Sequence, residues 1–277
     1  MHSDVEKPTQ SCKLKPANLS MKLLFNDQSD KYKKYRPGYP QALIKNLVER
    51  IPERKLAWDA GCGNGQLALL LKPHFEQVVG SDPSVSQLAE APKIEGIDWR
   101  LEPAEVSSLE TQSCDLVSIA QALHWVNHEA FFAEVNRVLK PGGHFLALGY
   151  GLNRIGTCEN SIADDAALSL LLNEIMSNFY YNIVGPFWEP ERANIDKRYE
   201  TLNFPFEAQK FEPGEMIIEW NLNDYLGYLG TWSAVKSYQK EVGENPIEDL
   251  AGQLSSLWQA NQTRKIHFPL FGYLGKK

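Results

Sequence analysis

The 277-residue chain reads as an α/β protein built on a doubly wound parallel sheet. Three observations carry that reading. Short apolar runs alternate with helical patterns between residues 55 and 150. A glycine-rich loop stands where the first apolar run meets its helix. An acid closes the second run. Strands and helices alternating at this pitch indicate βαβ units with right-handed crossovers.

The elements follow in order. Residues 1–20 are polar, carry Pro8 and Pro16 and lack periodicity, so they are expected to be a disordered leader. Pro37-Gly-Tyr-Pro40 is a turn, and Pro40 suits the first turn of a helix carrying Leu43, Ile44, Leu47 and Val48 at helical spacing. Strands are predicted at 55–59, 77–82, 97–101, 115–120 and 144–150, with helices at 66–72, 84–91 (capped by Ser84) and 129–139. Pro141-Gly142-Gly143 stops the last of these helices. Beyond residue 151 the alternation fails. A helix over 161–179, a strand at 216–220, helices over 223–238 and 246–258 and a last strand at 265–271 are expected. Between them lie Tyr180, Tyr181, Phe187 and Trp188 among prolines. Without a Ser/Gly-rich linker, residues 21–277 read as a single elaborated domain, with a cofactor-binding core at 32–150, covering insertions at 151–264 and the last strand within 265–277.

Composition narrows the function. Hydrophobic residues at 43% and charged residues at 23% are ordinary for a globular chain. The longest apolar run, Leu67 to Leu71, is far too short to span a bilayer, so no membrane partner is expected. The net charge is −7. Residues 1–36 hold eight basic and four acidic residues, and the remainder twenty against thirty-one. So acidic a body argues against nucleic acid as a partner. Four scattered cysteines, none in a CxxC pair, fit neither a disulfide scaffold nor a zinc site. A reducing, cytoplasmic compartment and no metal are therefore expected; the oligomeric state is left open.

The sharpest signal is Asp59-Ala-Gly61-Cys-Gly63-Asn-Gly65-Gln. Glycines at a strand-to-helix turn let a ligand approach the backbone closely. The sixth position from Gly61 is Gln66, so the dinucleotide fingerprint fails at its third glycine. Asp82 stands 21 residues beyond Gly61, placed to accept hydrogen bonds from ribose hydroxyls. Asp59 repels a phosphate beside the loop and suits an ammonium or sulfonium. A nucleoside carrying a cation, without pyrophosphate, fits this set.

These residues resemble the class I S-adenosylmethionine-dependent methyltransferases with a type 11 domain. The resemblance implies a Rossmann-like, mostly parallel seven-stranded sheet whose last strand is antiparallel, with helical and aromatic insertions (151–264) over the site. It also implies S-adenosylmethionine as cofactor, held by Gly61, Gly63, Gly65 and Asp82, with Asp59 acting through the loop or a water. Ala104 and Glu105, just after the third strand, loosely match the family's adenine-side element. Gln121 lies in the segment Ala120-Gln-Ala-Leu-His-Trp125, expected beneath the methyl group. Tyr35-Arg-Pro-Gly-Tyr-Pro40, Ala122-Leu-His-Trp125 and Leu226-Gly-Tyr-Leu-Gly-Thr-Trp232 are similar to the small-molecule branch around trans-aconitate methyltransferase. In that branch the first segment folds over the cofactor, which makes Arg36 a candidate for the cofactor's carboxylate and Tyr32 and Trp232 candidates for the substrate.

Methyl transfer from a sulfonium needs alignment and exclusion of water more than acid–base chemistry. A carboxylate acceptor is already ionised at neutral pH, whereas a hydroxyl benefits from a base. His124 could be that base, or could orient its loop through a hydrogen bond. Trp125 could wall the cofactor or substrate, or simply pack. The resulting expectation is methyl transfer to a carboxylate or hydroxyl oxygen of a small organic molecule. The alternatives are an RNA or protein methyltransferase and a protein that binds the cofactor without catalysis.

Overall fold

A computed structural model describes residues 35–158 and 165–277 of the chain. The expected leader and Tyr32 lie outside the described residues, as do the first four positions of the helix expected from 161.

The strands are β1 (Leu56–Ala60), β2 (Gln77–Ser81), β3 (Ile97–Arg100), β4 (Cys114–Ala120), β5 (Leu139–Tyr150), β6 (Arg154–Cys158), β7 (Gln209–Phe211), β8 (Glu215–Asn221) and β9 (Thr263–Lys276). The helices are α1 (Gln41–Val48), α2 (Gln66–Leu71), α3 (Val85–Ala89), α4 (His128–Val138), α5 (Asp165–Asn178), α6 (Ala193–Asp196), α7 (Leu222–Leu229), α8 (Ser233–Val242) and α9 (Pro246–Ser255). The strand order is β3-β2-β1-β4-β5-β9-β6, with β7 and β8 also paired to β9. Strands β3 to β5 are mutually parallel.

The antiparallel last strand is present, but among the described residues the sheet has nine strands rather than seven. The cause is the length of β9. Its second half pairs with β5 (Phe145 opposite Gly275) and with β7, and its first half pairs with β6 and β8 (Ile266 opposite Ile155 and Ile218). The strand read at 265–271 runs on to Lys276, within the terminal segment 265–277 assigned to the last strand. Pro269 lies inside the run, and the ladder continues through it opposite Glu215.

Side-chain alternation builds a core on each face of the sheet. Ala57, Leu116 and Leu146 join one cluster, and their neighbours Trp58, Val117 and Phe145 join the other. The strands flanking the centre are apolar almost throughout because both faces are covered. The helix expected over 223–238 is two helices, α7 and α8. Trp232 takes extended backbone (ψ 137°) and serves as the N-cap of α8, and Thr231 Oγ1 donates to the Tyr228 carbonyl at 2.6 Å, closing α7. Helices α2, α3 and α4 lie where expected to within a residue or so. Ser84 and Asn127 cap the latter two by accepting from Gln87 N and Ala130 N.

Candidate functional site

The strand order reverses between β1 and β4, so the loops after them leave toward opposite faces and open a crevice at their carboxyl ends. The walls of this cleft come from the loop after β1 (Asp59 to Asn64), the tip of β2 (Asp82), the loop after β4 (Ala120 to Ala122, His124, Trp125) and the end of β5 (Tyr150 to Leu152). Arg36 and Tyr39 close it from one side, and Trp188, Arg192, Tyr228 and Trp232 from the other.

The glycine loop has to be glycine. Gly61 takes φ +63°, and a Cβ there would stand 2.8 Å from the Ala122 Cβ of the facing loop. Gly65 takes φ +88° with the Trp99 ring 2.2 Å from where its Cβ would be. The left-handed backbone and the close contact both exclude a larger residue. Gly65 itself does not line the cleft; it starts α2.

Two carboxylates lie at this end. Asp82 Oδ2 accepts from Gly63 N at 2.9 Å and Oδ1 accepts from Ser84 N at 2.8 Å, which ties the β2 tip to the glycine loop. Burial raises its carboxyl above the usual range. Asp59 is 1% exposed; its Oδ1 accepts from Ser118 Oγ at 3.0 Å, while its Oδ2 has no partner among the described residues. Burial pushes Asp59 up to about 7. Asn64 Nδ2 and Gln87 Oε1, both on cleft residues, are likewise buried and unpartnered among the described residues. Such orphaned atoms are costly unless a ligand or water meets them. The set of one unpaired buried carboxylate oxygen, one amide donor and one amide acceptor fits a cationic nucleoside, and the carboxylates disfavour a phosphate beside them.

The other end differs in character. Arg36 Nη1 donates to Tyr150 Oη at 3.3 Å, and its guanidinium lies 5.7 Å from the Tyr228 ring centre. The Arg36 carbonyl accepts from Gln66 Nε2 at 3.3 Å, which fastens the segment to the start of α2. A Cβ on Gly227 would stand 2.6 Å from the Tyr35 ring, so the glycine in α7 lets this segment lie flat. Gln121 has φ +53° and donates from Nε2 to the Tyr150 carbonyl at 3.0 Å, binding the β4 and β5 loops together.

His124 is buried, with Nδ1 3.3 Å from Tyr199 Oη and its ring 4.8 Å from that of Trp125. Burial holds its pKa well below the ordinary histidine value, and the positive charges of Arg192 and Arg36 hold it down further. The imidazole is neutral at physiological pH.

Of the candidates read from sequence, the fold brings Asp59, Gly61, Gly63, Asp82, Gln121, His124, Trp125, Arg36 and Trp232 around one cleft. Ala104 and Glu105 stand apart from its walls. Ala104 is buried in the second core cluster, and Glu105 Oε1 accepts from Asn127 N at 2.8 Å, serving the start of α4. Sequence reasoning missed Asn64, Gln87, Tyr150 and Arg192. Asn64 could have been found from its place between two loop glycines. The other three carry no local signal, because only the crossover topology brings them in.

A parallel sheet with a reversal point, a left-handed glycine turn and paired buried acids define an α/β enzyme of the nucleoside-dependent methyl-transferring class. Residues 58–147 match the family described as a methyltransferase domain. A Dictyostelium discoideum protein with a methyltransferase name is 30% identical over 259 residues, 91% of this chain and 94% of its own. A Saccharomyces cerevisiae protein named as an S-adenosylmethionine-dependent methyltransferase is 35% identical over 91% of this chain and 96% of its own. A solved structure from Anaeromyxobacter dehalogenans, described as a type II methyltransferase, is 33% identical, has a TM-score of 0.75 and covers 87% of this chain and 98% of its own. The chain belongs to the class I S-adenosylmethionine-dependent methyltransferases, and its cofactor is S-adenosylmethionine. No helix among the described residues is long and apolar enough to cross a membrane.

Proposed function

We propose that the chain transfers methyl groups to an oxygen of a small organic molecule. The reading rests above all on the lining of the cleft: two buried acids beside the glycine loop, with arginines and aromatic rings on the walls that other segments contribute. On this reading Gly61, Gly63 and Asn64 receive the cofactor's amino-acid part through backbone and amide, Asp59 faces its cationic groups, and Asp82 accepts from its ribose. Gly65 sets the turn. Ala104 and Glu105 stand outside the cleft walls, beside the start of α4. When bound, the cofactor supplies a methyl already activated by positive sulfur. What remains for the protein is to align the acceptor and exclude water. Trp125 and Trp232 wall the acceptor end, and Arg36 and Tyr150 close it beneath the 35–40 segment. His124, within hydrogen-bond distance of Tyr199, orients its loop, and a carboxylate acceptor needs no base from it.

An enclosed, largely aromatic acceptor end favours a small molecule over RNA or a protein. The similarity to the trans-aconitate branch points the same way, as does the acidic body, and a cytoplasmic location suits the free cysteines. Calorimetry and a labelled-methyl assay test the reading together. S-adenosylhomocysteine should bind well above NAD, and label from S-adenosylmethionine should enter a small-acid and phenol panel. Preferential labelling of total RNA or of protein would overturn the small-molecule part; binding without any transfer would point to a cofactor-binding protein.

A further inference from the structure

The segment after α5 forms the outer wall of the acceptor end, and it carries polar groups with no assigned task. The indole Nε1–H of Trp188 is buried and has no acceptor among the described residues. Four residues on, Arg192 has its guanidinium 5.1 Å from the Trp188 ring centre. Its Nη1 donates to Asp196 Oδ1 at 3.2 Å, and the hydroxyl of Tyr180 donates to the same oxygen at 2.8 Å. Asp196 is therefore a bracket that fixes the fork. The Arg192 side chain is only 15% exposed, and both it and Trp188 line the cleft. The rings of Tyr180, Trp188 and Trp232 form a near-equilateral triangle, with centroids 5.5 to 5.6 Å apart. The turn carrying His124 and Trp125 packs against the turn carrying Arg192, which sets the fork beside the loop expected under the methyl group.

Charge decides what such a site accepts. The carboxylates on the cleft walls, Asp59 and Asp82, both sit at the glycine-loop end. Two guanidiniums, Arg36 and Arg192, line the remaining walls, and Asp196, which holds Arg192, is not among the lining residues. An amine substrate arriving protonated would meet repulsion there. A planar guanidinium with an adjacent N–H donor in an apolar frame suits a carboxylate, which can take two parallel hydrogen bonds from the fork.

We propose that the methyl acceptor is an organic acid with an apolar body, and that Arg192 and the indole N–H of Trp188 are its carboxylate-recognition site. This rests on the methyltransferase reading above. The acceptor carboxylate forms one new O–C bond, the methyl–sulfur bond breaks with its electron pair remaining on sulfur, and the products are a methyl ester and a neutral thioether. The acceptor arrives ionised, so no proton moves and no base is called for. Esterification removes the charge that Arg192 holds, which favours release of product.

The test uses matched pairs: phenylacetate with phenylacetamide, hexanoate with hexanamide, and adipate with adipamide. Binding to the S-adenosylhomocysteine-loaded protein is followed by tryptophan fluorescence and by NMR shifts of the indole N–H, and transfer is followed with labelled cofactor. At least one acid should bind and accept methyl at least about tenfold better than its amide, the scale of one charge-assisted contact. Arg192→Gln should remove that preference, Arg192→Lys restore part of it, and Trp188→Phe weaken acid binding. S-adenosylhomocysteine should bind all three variants within about twofold of the parent, which separates loss of the acceptor site from loss of fold. Equal binding of acids and amides by the parent, or an undiminished preference in Arg192→Gln, would overturn the assignment. Failure of the parent to bind S-adenosylhomocysteine would instead sink the methyltransferase reading itself.

Discussion

Single residues at the glycine-loop end make separable predictions. Asp82 is expected to accept from the ribose. Asp82→Ala should weaken S-adenosylhomocysteine binding by about 1–3 kcal/mol, the range for a hydrogen bond to a charged group; calorimetry reads it directly. Asp59 makes a prediction about pH. Burial raises its folded-state pKa to about 7, while the unfolded carboxylate titrates near its usual value of about 4. Between those values the folded state holds a proton that the unfolded state gives up. Stability should therefore fall as pH rises from about 4 to about 7 and level off above that. Asp82 shifts in the same direction and adds to the slope. Asp59→Asn should flatten the decline, as followed by denaturant unfolding across that window; an unchanged slope would remove Asp59 as its source. With a cation to face, the ionised form is favoured, so S-adenosylmethionine affinity should rise through the same window in the parent and not in Asp59→Asn. His124 carries the opposite expectation. A neutral, hydrogen-bonded imidazole that takes no proton can be replaced by an amide. His124→Gln should lower turnover on an acid by less than about 100-fold, the lower bound for removal of a general base.

At the scale of elements, the turn from β1 into α2 is the most constrained joint. Gly65→Ala places a Cβ in left-handed backbone and against the Trp99 ring. It should destabilise the fold by about 1–3 kcal/mol and weaken cofactor binding, because the same turn orients Gly61 and Gly63; thermal melts and calorimetry check both. This joint was legible in sequence, since Gly-x-Gly-x-Gly between an apolar run and a helical one has few other physical uses. The break between α7 and α8 was not legible. The sequence around Gly230 and Thr231 keeps a helical period, and the interruption comes from Trp232, whose ring is drawn into contact with Phe179, Tyr180 and Tyr228. Tertiary packing outweighed local propensity there. The same is true of β9, whose single run pairs with β5, β6, β7 and β8.

For the whole molecule, β9 joins the cofactor-binding half to the cover. Phe268, fully buried on β9, touches Tyr150 at the end of β5, Trp220 on β8 and Tyr228 on α7, with centroids 5.4 to 5.8 Å apart. Phe268→Ala should cost about 3–5 kcal/mol, the usual range for emptying such a site. Because Tyr150 and Tyr228 also line the cleft, acid binding should weaken more than S-adenosylhomocysteine binding. Denaturant unfolding with parallel titrations would show both effects.

The chain's own order of residues was enough for the alternating strands and helices, the left-handed glycine turn and the pairing of Asp59 with Asp82. Each depends on neighbours within about 20 positions, where periodicity and backbone freedom speak directly. Only the tertiary structure decided that Ala104 and Glu105 stand away from the cleft walls, that β9 would gather four partners, and that Arg192 and Trp188 would line the same cleft as His124. Those contacts join positions many tens of residues apart. Long-range pairing leaves no periodic trace in either partner; it follows from the order in which the strands cross and from which faces remain to be buried.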